Sequence, residues 1–201
     1  MTFTLFKRIQ NFIYRHVFKL FFSKSFKFFG KKVCLISPDR LEGTEFISIG
    51  DNTTISTCCW LLALKNDMLN PLISIKSNCQ LGRFVHIVAT REVVIECNVL
   101  IADKVYISDN LHGYKNINEP ILKQKIEFVG KTSIGEGSWI AENVVIVGAV
   151  IGKNCVVGAN SVVRGDFPDY CVIVGAPARV VKRYNPETSS WEKTDTKGRF
   201  L

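Results

Sequence analysis

No stretch of this 201-residue chain approaches the run of about 20 apolar residues that a membrane-crossing helix requires. Histidine is scarce, present only as His16, His86 and His112. The three clustered imidazoles of a zinc-dependent hydratase are therefore not available, and no metal is expected. The seven cysteines are odd in number and lack paired spacing, which excludes a disulfide framework and points to reduced thiols in a cytoplasmic compartment. Acidic residues are missing altogether before Asp39, although Lys7, Arg8, Arg15, Lys19, Lys24, Lys27, Lys31 and Lys32 precede it. The other 18 of the 26 basic residues are matched by 18 acidic ones, so the net charge of +8 belongs to that first segment. With 47% hydrophobic and 22% charged residues the chain has ample core material, and its length suits one domain with appendages.

What is abundant is a period of six. From Thr132 to Pro168 an aliphatic returns at Ile134, Ile140, Ile146, Ile151, Val157 and Val163, and the fifth place of each hexad is small, as at Ser138, Val144, Cys155 and Ser161. Six is neither the helical 3.6 nor the 2 of a flat strand; it is the period of a parallel β-helix, in which each hexad supplies one short strand and one corner. No hexad buries its aliphatic alone, so the repeat is stable only as a stack. The hexad from Ile146 to Val150 is one residue short, and the resumption at Ile151 places the deletion in a corner at Gly148.

The hexads begin at Ile47, blur from Trp60 to Pro71 into a loop or irregular coil, and return at Ile75, Leu81 and Ile87. They slip by two between Ala89 and Val94, then run through Ile95, Ile101 and Ile107. Residues 113–127 break the period with a polar stretch around Pro120, the kind of insertion where a repeat protein carries its site. The chain accordingly divides into an arm over 1–44, a β-helix over 45–178 with the 113–127 loop inserted, and a polar tail over 179–201 prone to fraying. In the arm, Ile9, Phe12, Ile13, Val17, Leu20 and Phe21 fall on one helical stripe beside a lysine and arginine face. Such a helix suits peripheral contact with the anionic inner face of the cytoplasmic membrane, or packing on its own oligomer. No nucleic-acid recognition motif accompanies the charge.

The sequence resembles the hexapeptide-repeat acyltransferases, and within them the sugar O-acetyltransferases that decorate bacterial polysaccharides. The resemblance rests on Ile107-Ser108-Asp109-Asn110-Leu111-His112-Gly113, Ser138-Trp139-Ile140-Ala141-Glu142-Asn143, Val157-Gly158-Ala159-Asn160-Ser161-Val162-Val163 and Val174-Gly175-Ala176-Pro177-Ala178-Arg179. It covers about residues 45–185. It implies a left-handed β-helix in the all-β class, a homotrimer, a sugar or glycan acceptor, and acetyl-CoA as co-substrate between coils of two subunits. His112 matches the family's catalytic histidine, the base that removes the acceptor hydroxyl proton; Asp109, three residues earlier, is placed to orient its ring. Trp139 is expected on the cleft wall, with Ala141, Ala159 and Ser161 along the pantetheine arm. Where family members commonly carry Thr-Lys after the Val-Val pair, this chain has Arg164-Gly165, so Arg164, Arg179 or Arg183 is expected to meet the phosphates. Acceptor contacts are expected from His86, Asn110, Tyr114 and Lys115, and an oxyanion donor from a backbone N–H. Two other readings stand beside this one: N-acetylation of an amino-sugar nucleotide, and a non-catalytic β-helix scaffold.

Overall fold

The structure, a computed structural model, describes residues 2–66 and 69–201. It opens with α1, Phe3–Phe22. The first coil follows as β1 Phe28–Phe29, β2 Cys34–Leu35 and β3 Arg40–Glu42, the second as β4 Ile47–Ile49, β5 Thr54–Ile55 and β6 Trp60–Ala63. The third is β7 Leu72–Ile75, β8 Gln80–Leu81 and β9 His86–Ala89; the fourth is β10 Glu92–Ile95, β11 Leu100–Ile101 and β12 Tyr106–Ser108. A hairpin interrupts here, β13 Asn110–His112 with β14 Ile126–Phe128. Stacking resumes with β15 Thr132–Ile134, β16 Trp139–Ile140, β17 Val145–Ile151, β18 Val156–Val157, β19 Val162–Phe167 and β20 Cys171–Gly175. Successive coils pair in parallel on three faces, giving the left-handed β-helix that the hexads encode. β21 Ala178–Asn185 and β22 Ser190–Lys193 then add antiparallel to β20 on the second face.

Each face contributes one inward column: Ile75, Ile95 and Ile134 on the first, Leu81, Ile101 and Ile140 on the second, Ile87, Ile107 and Ile146 on the third, all at most 2% exposed. Burying each such side chain stabilises the stack by about 1.5–3 kcal/mol. The small fifth places let the backbone close each corner around them. Ser138 is fully buried, with its hydroxyl donating to Gly152 O and accepting from Cys155 N, each at 3.0 Å. The turn itself needs a left-handed residue, which asparagine and glycine tolerate best. Asn52, Asn78, Asn98, Gly137 and Asn154 take that conformation at the first vertex, and Asn143 and Asn160 at the second, with φ between 49° and 71°.

The third vertex, between the third and first faces, has no such uniform turn. The chain leaves the stack there at 64–71, where residues 67 and 68 lie outside the described set, and again at 109–131. Gly148, at φ +58°, is where the same vertex shrinks to a bend inside β17, with the register against β19 shifting between Ile146 and Ala149. This is the short hexad seen in the sequence.

Three boundaries differ from the sequence reading. The solenoid begins at Phe28 rather than near residue 45, because Phe29, Leu35 and Leu41 already keep the period of six and β1 and β2 pair with the second coil. The insertion is a hairpin, paired Asn110↔Phe128 and His112↔Ile126. The polar tail is ordered as the β21–β22 hairpin, with Tyr184 packed edge-on against Trp191 at 5.8 Å. At the other end α1 docks through Phe18, which stacks on Phe29 at 6.0 Å and meets Phe22 at 5.1 Å. Among the described residues no helix is long and apolar enough to cross a membrane.

Candidate active site at the third vertex

Where the chain leaves the fourth coil, it must satisfy the backbone groups that a regular turn would have paired. Asp109 does this. Fully buried, its carboxylate accepts from Thr90 N at 2.9 Å, Arg91 N at 2.7 Å and Glu92 N at 2.8 Å, from Thr90 Oγ1 at 3.2 Å and from Asn110 Nδ2 at 2.8 Å. Asn110, 6% exposed, also donates to Val88 O at 3.3 Å. Thr132 Oγ1 donates to Ser108 O at 2.9 Å, and Arg91 lies over the Phe128 ring at 4.2 Å. The result is a sealed polar plug at the base of the hairpin.

The plug corrects two expectations. Asp109 does not orient the His112 ring, since its oxygens are already committed to the amides of the turn between the third and fourth coils, and Asn110 is buried in the same network rather than turned to an acceptor. His112 is the last residue of β13, held by pairing with Ile126, and its side chain is exposed with no hydrogen bond among the described residues. An imidazole on a fixed backbone with a free ring can accept a proton from a hydroxyl brought against it. Tyr114 and Lys115 follow on the same hairpin, both exposed, with Lys115 Nζ 3.1 Å from Glu127 Oε2 across it.

His86 lies elsewhere, on the third face. Its ring stacks on Trp60 at 4.2 Å and 8° between planes, and Trp60 Nε1 donates to Asp39 Oδ2 at 2.7 Å. Burial against this stack lowers the His86 pKa, and the Asp39 charge opposes that shift.

The expected cofactor residues divide. Trp139 projects outward from the second face, 45% exposed between Leu100 and Val156. Ala141 and Ala159 both sit at the second vertex, on consecutive coils, the first buried and the second exposed. Ser161 is fully buried, donating to Gly158 O at 2.6 Å and accepting from Gly175 N at 3.1 Å, so it closes a corner and does not face a ligand. Arg164 and Arg179 come together on a cavity of about 450 Å³ that Lys197 and Thr196 of the tail also line. The two tail residues had no signal in the sequence. Arg183 is not part of it: it donates to Asp169 O at 3.2 Å, in the turn between β19 and β20, and to Gly198 O at 3.3 Å, and covers the Phe200 ring, so it ties the tail to the last coil.

The third vertex is the corner opposite the second face. One chain therefore presents His112 and Trp139 on opposite sides of its triangular section. Among the described residues no group of three or more histidine, cysteine or acidic side chains is placed to hold a metal. The buried thiols make poor nucleophiles, burial pushing Cys79 up to about 11 and Cys59 up to about 12.

The bacterial transferase hexapeptide model, of six repeats, matches residues 131–165. Over 163 residues the chain is 41% identical to WbbJ of Escherichia coli (strain K12), named for O-acetyl transfer in lipopolysaccharide biosynthesis, covering 78% of this chain and 81% of that protein. It is 34% identical over 128 residues to the galactoside O-acetyltransferase of the same bacterium, covering 60% and 62%. Among solved structures the fold matches AntD, an N-acyltransferase from Bacillus cereus in complex with dTDP and 3-hydroxybutyryl-CoA. The TM-score is 0.67 at 20% identity, over 82% of this chain and 87% of that one.

Proposed function

The chain belongs to the hexapeptide-repeat transferases, and from that premise we propose that it moves an acetyl group from acetyl-CoA to a sugar hydroxyl of a surface polysaccharide or its precursor. The observation that carries this reading is His112, exposed on a rigid hairpin base that the buried Asp109 network fixes. In the reaction the His112 imidazole takes the hydroxyl proton as the oxygen attacks the thioester carbonyl. A backbone N–H holds the oxyanion of the tetrahedral intermediate. The intermediate collapses by breaking the C–S bond, and the imidazolium returns the proton to the departing CoA sulfur. Trp139, Ala141 and Ala159 form the wall for the pantetheine arm, while Arg164, Arg179 and Lys197 offer cations to the CoA phosphates. Tyr114 and Lys115, on the hairpin beside His112, meet the acceptor.

The opposite placement of His112 and Trp139 supports a homotrimer in which each site joins the third vertex of one copy to the second face of the next. Its place is cytoplasmic, with the basic arm touching the inner face of the membrane. The test is thiol release from acetyl-CoA with sugar, amino-sugar nucleotide and glycan acceptors, for the wild type and His112→Ala. The reading requires turnover with a hydroxyl acceptor, a loss on the order of a hundredfold in the variant, and CoA binding retained by both. Turnover only with an amine moves the assignment to N-acetylation. A protein that neither binds nor consumes acetyl-CoA is a scaffold.

A further inference from the structure

The docking of α1 leaves its apolar stripe on the outside. Phe18 is the one buried residue of the helix, and half a turn away Leu5, Ile9, Phe12, Ile13 and Leu20 are 46–74% exposed. Along one flank of that stripe run Arg8, Arg15 and Lys19, at helical spacings of seven and four. Beneath Arg15 and Lys19 the first vertex of the first coil brings up Lys31 and Lys32. The space between them is a cleft of about 270 Å³ lined by Arg15, His16, Lys19, Lys31, Lys32 and Val33, with no carboxylate in its wall. Among the described residues none of these lysines and arginines makes an ion pair.

We propose that this cleft is a headgroup site for anionic phospholipid, in which the lipid phosphate sits among Arg15, Lys19, Lys31 and Lys32 while the acyl region lies under the outward stripe of α1. The inference rests on the reading of the arm as a membrane contact and extends it from general attraction to a built site. Charge decides the occupant. A helix without a single acidic residue has nothing to pair its bases with on the same helix of a second copy, so helix-to-helix association would bring like charges together. A nucleic acid would answer the charge but leave the Phe, Ile and Leu stripe in water. An anionic bilayer satisfies both, because cations border the buried apolar face at the depth of the headgroups.

The experiment is co-sedimentation of the full chain with vesicles of phosphatidylcholine alone and of phosphatidylcholine mixed with phosphatidylglycerol. It compares the wild type, Arg15→Gln/Lys19→Gln and Ile9→Asp/Ile13→Asp, with thiol release followed in the same preparations. The expected result is preferential binding to the anionic vesicles. The charge variant weakens it about thirtyfold, the equivalent of two bases at about 1 kcal/mol each. The stripe variant abolishes it, and all three proteins keep their thiol release. Equal binding to both vesicles, unchanged by Arg15→Gln/Lys19→Gln, overturns the headgroup site while leaving the membrane contact standing. Binding to neither overturns both, and a larger assembly that the stripe variant dissociates assigns the helix to an interface between copies. Displacement from the vesicles by millimolar inorganic phosphate or by an oligonucleotide overturns the commitment to lipid.

Discussion

The first two vertices of the solenoid and the third are cut from the same chain at the same period, yet they behave as different materials. At the first and second, nearly every coil turns through a left-handed residue over a buried small side chain. The backbone of one corner meets the next so closely that a Cβ added at Gly135 would lie 2.4 Å from Gly152 C. At the third vertex the chain leaves the stack after Ala63 and rejoins it at Leu72, turns in two residues between Ala89 and Glu92, sends out a hairpin, and then collapses to Gly148. Stacking tolerates no insertion where each turn is packed against its neighbours. Where a turn has its own local hydrogen bonds, length is free to vary and chemistry collects.

The largest break in this contrast is expected from Asp109→Ala. It strips three backbone N–H groups, one buried and two part-buried, and two buried side-chain donors of their acceptor, which costs about 3 kcal/mol or more. Urea unfolding measures it, and an unchanged midpoint would mean the plug does not hold the vertex. Replacing Tyr114–Gln124 with a short glycine-containing turn should lower acceptor turnover on the order of a hundredfold through loss of positioning. The thermal midpoint should stay close to wild type, because the hairpin tip lies outside the stack. A comparable fall in both would put the tip into the fold rather than the site.

Smaller is the cost of Gly148→Ala, about 1–2 kcal/mol for forcing an alanine to φ +58° with its Cβ 3.2 Å from Val129 Cγ2. A silent substitution there would show the third vertex to be as loose at its shortest turn as at its longest. The smallest effect concerns the thiols of the regular corners. Burial raises Cys79 to about 11 and Cys59 to about 12, above the ordinary 9.0. Below pH 9 both folded and unfolded chains keep these protons. Between pH 9 and 11–12 the unfolded chain releases them first, so stability falls through that window. Native thiol titration at mild pH should find Cys34, Cys58 and Cys97, which are half-buried, and miss Cys59 and Cys79. Early reaction of the last two would show that the corners open.

Much of the architecture was legible because a period of six has one structural solution, and the departures from it were legible too. The deletion at Gly148 and the break after Ile107 both stand at the third vertex. The first coil was hidden for a local reason: Phe29, Leu35 and Leu41 keep the period, but their basic surroundings read as a continuation of the arm. The site was less legible. Ser161 stands at the fifth place of its hexad, which is an inward place, and the hexad rule was the better guide than the family likeness. Asp109 and Asn110 lie within three residues of His112, but sequence proximity says nothing of where a side chain points once the strand leaves the stack. Lys197 reaches the cavity of Arg164 and Arg179 through a tail with no repeat to read.

The sequence by itself determined the coil, its columns of Ile, Leu and Val and the two points where the stack is interrupted, because all of these follow from residue spacing. Only the tertiary structure decided that Asp109 seals the hairpin rather than serving His112, that Arg183 is spent tying the tail to the last coil, and that the apolar stripe of α1 faces outward. Those outcomes depend on which buried amides lack an acceptor and on which face of an element another element has already covered, and neither is a property of a segment taken alone.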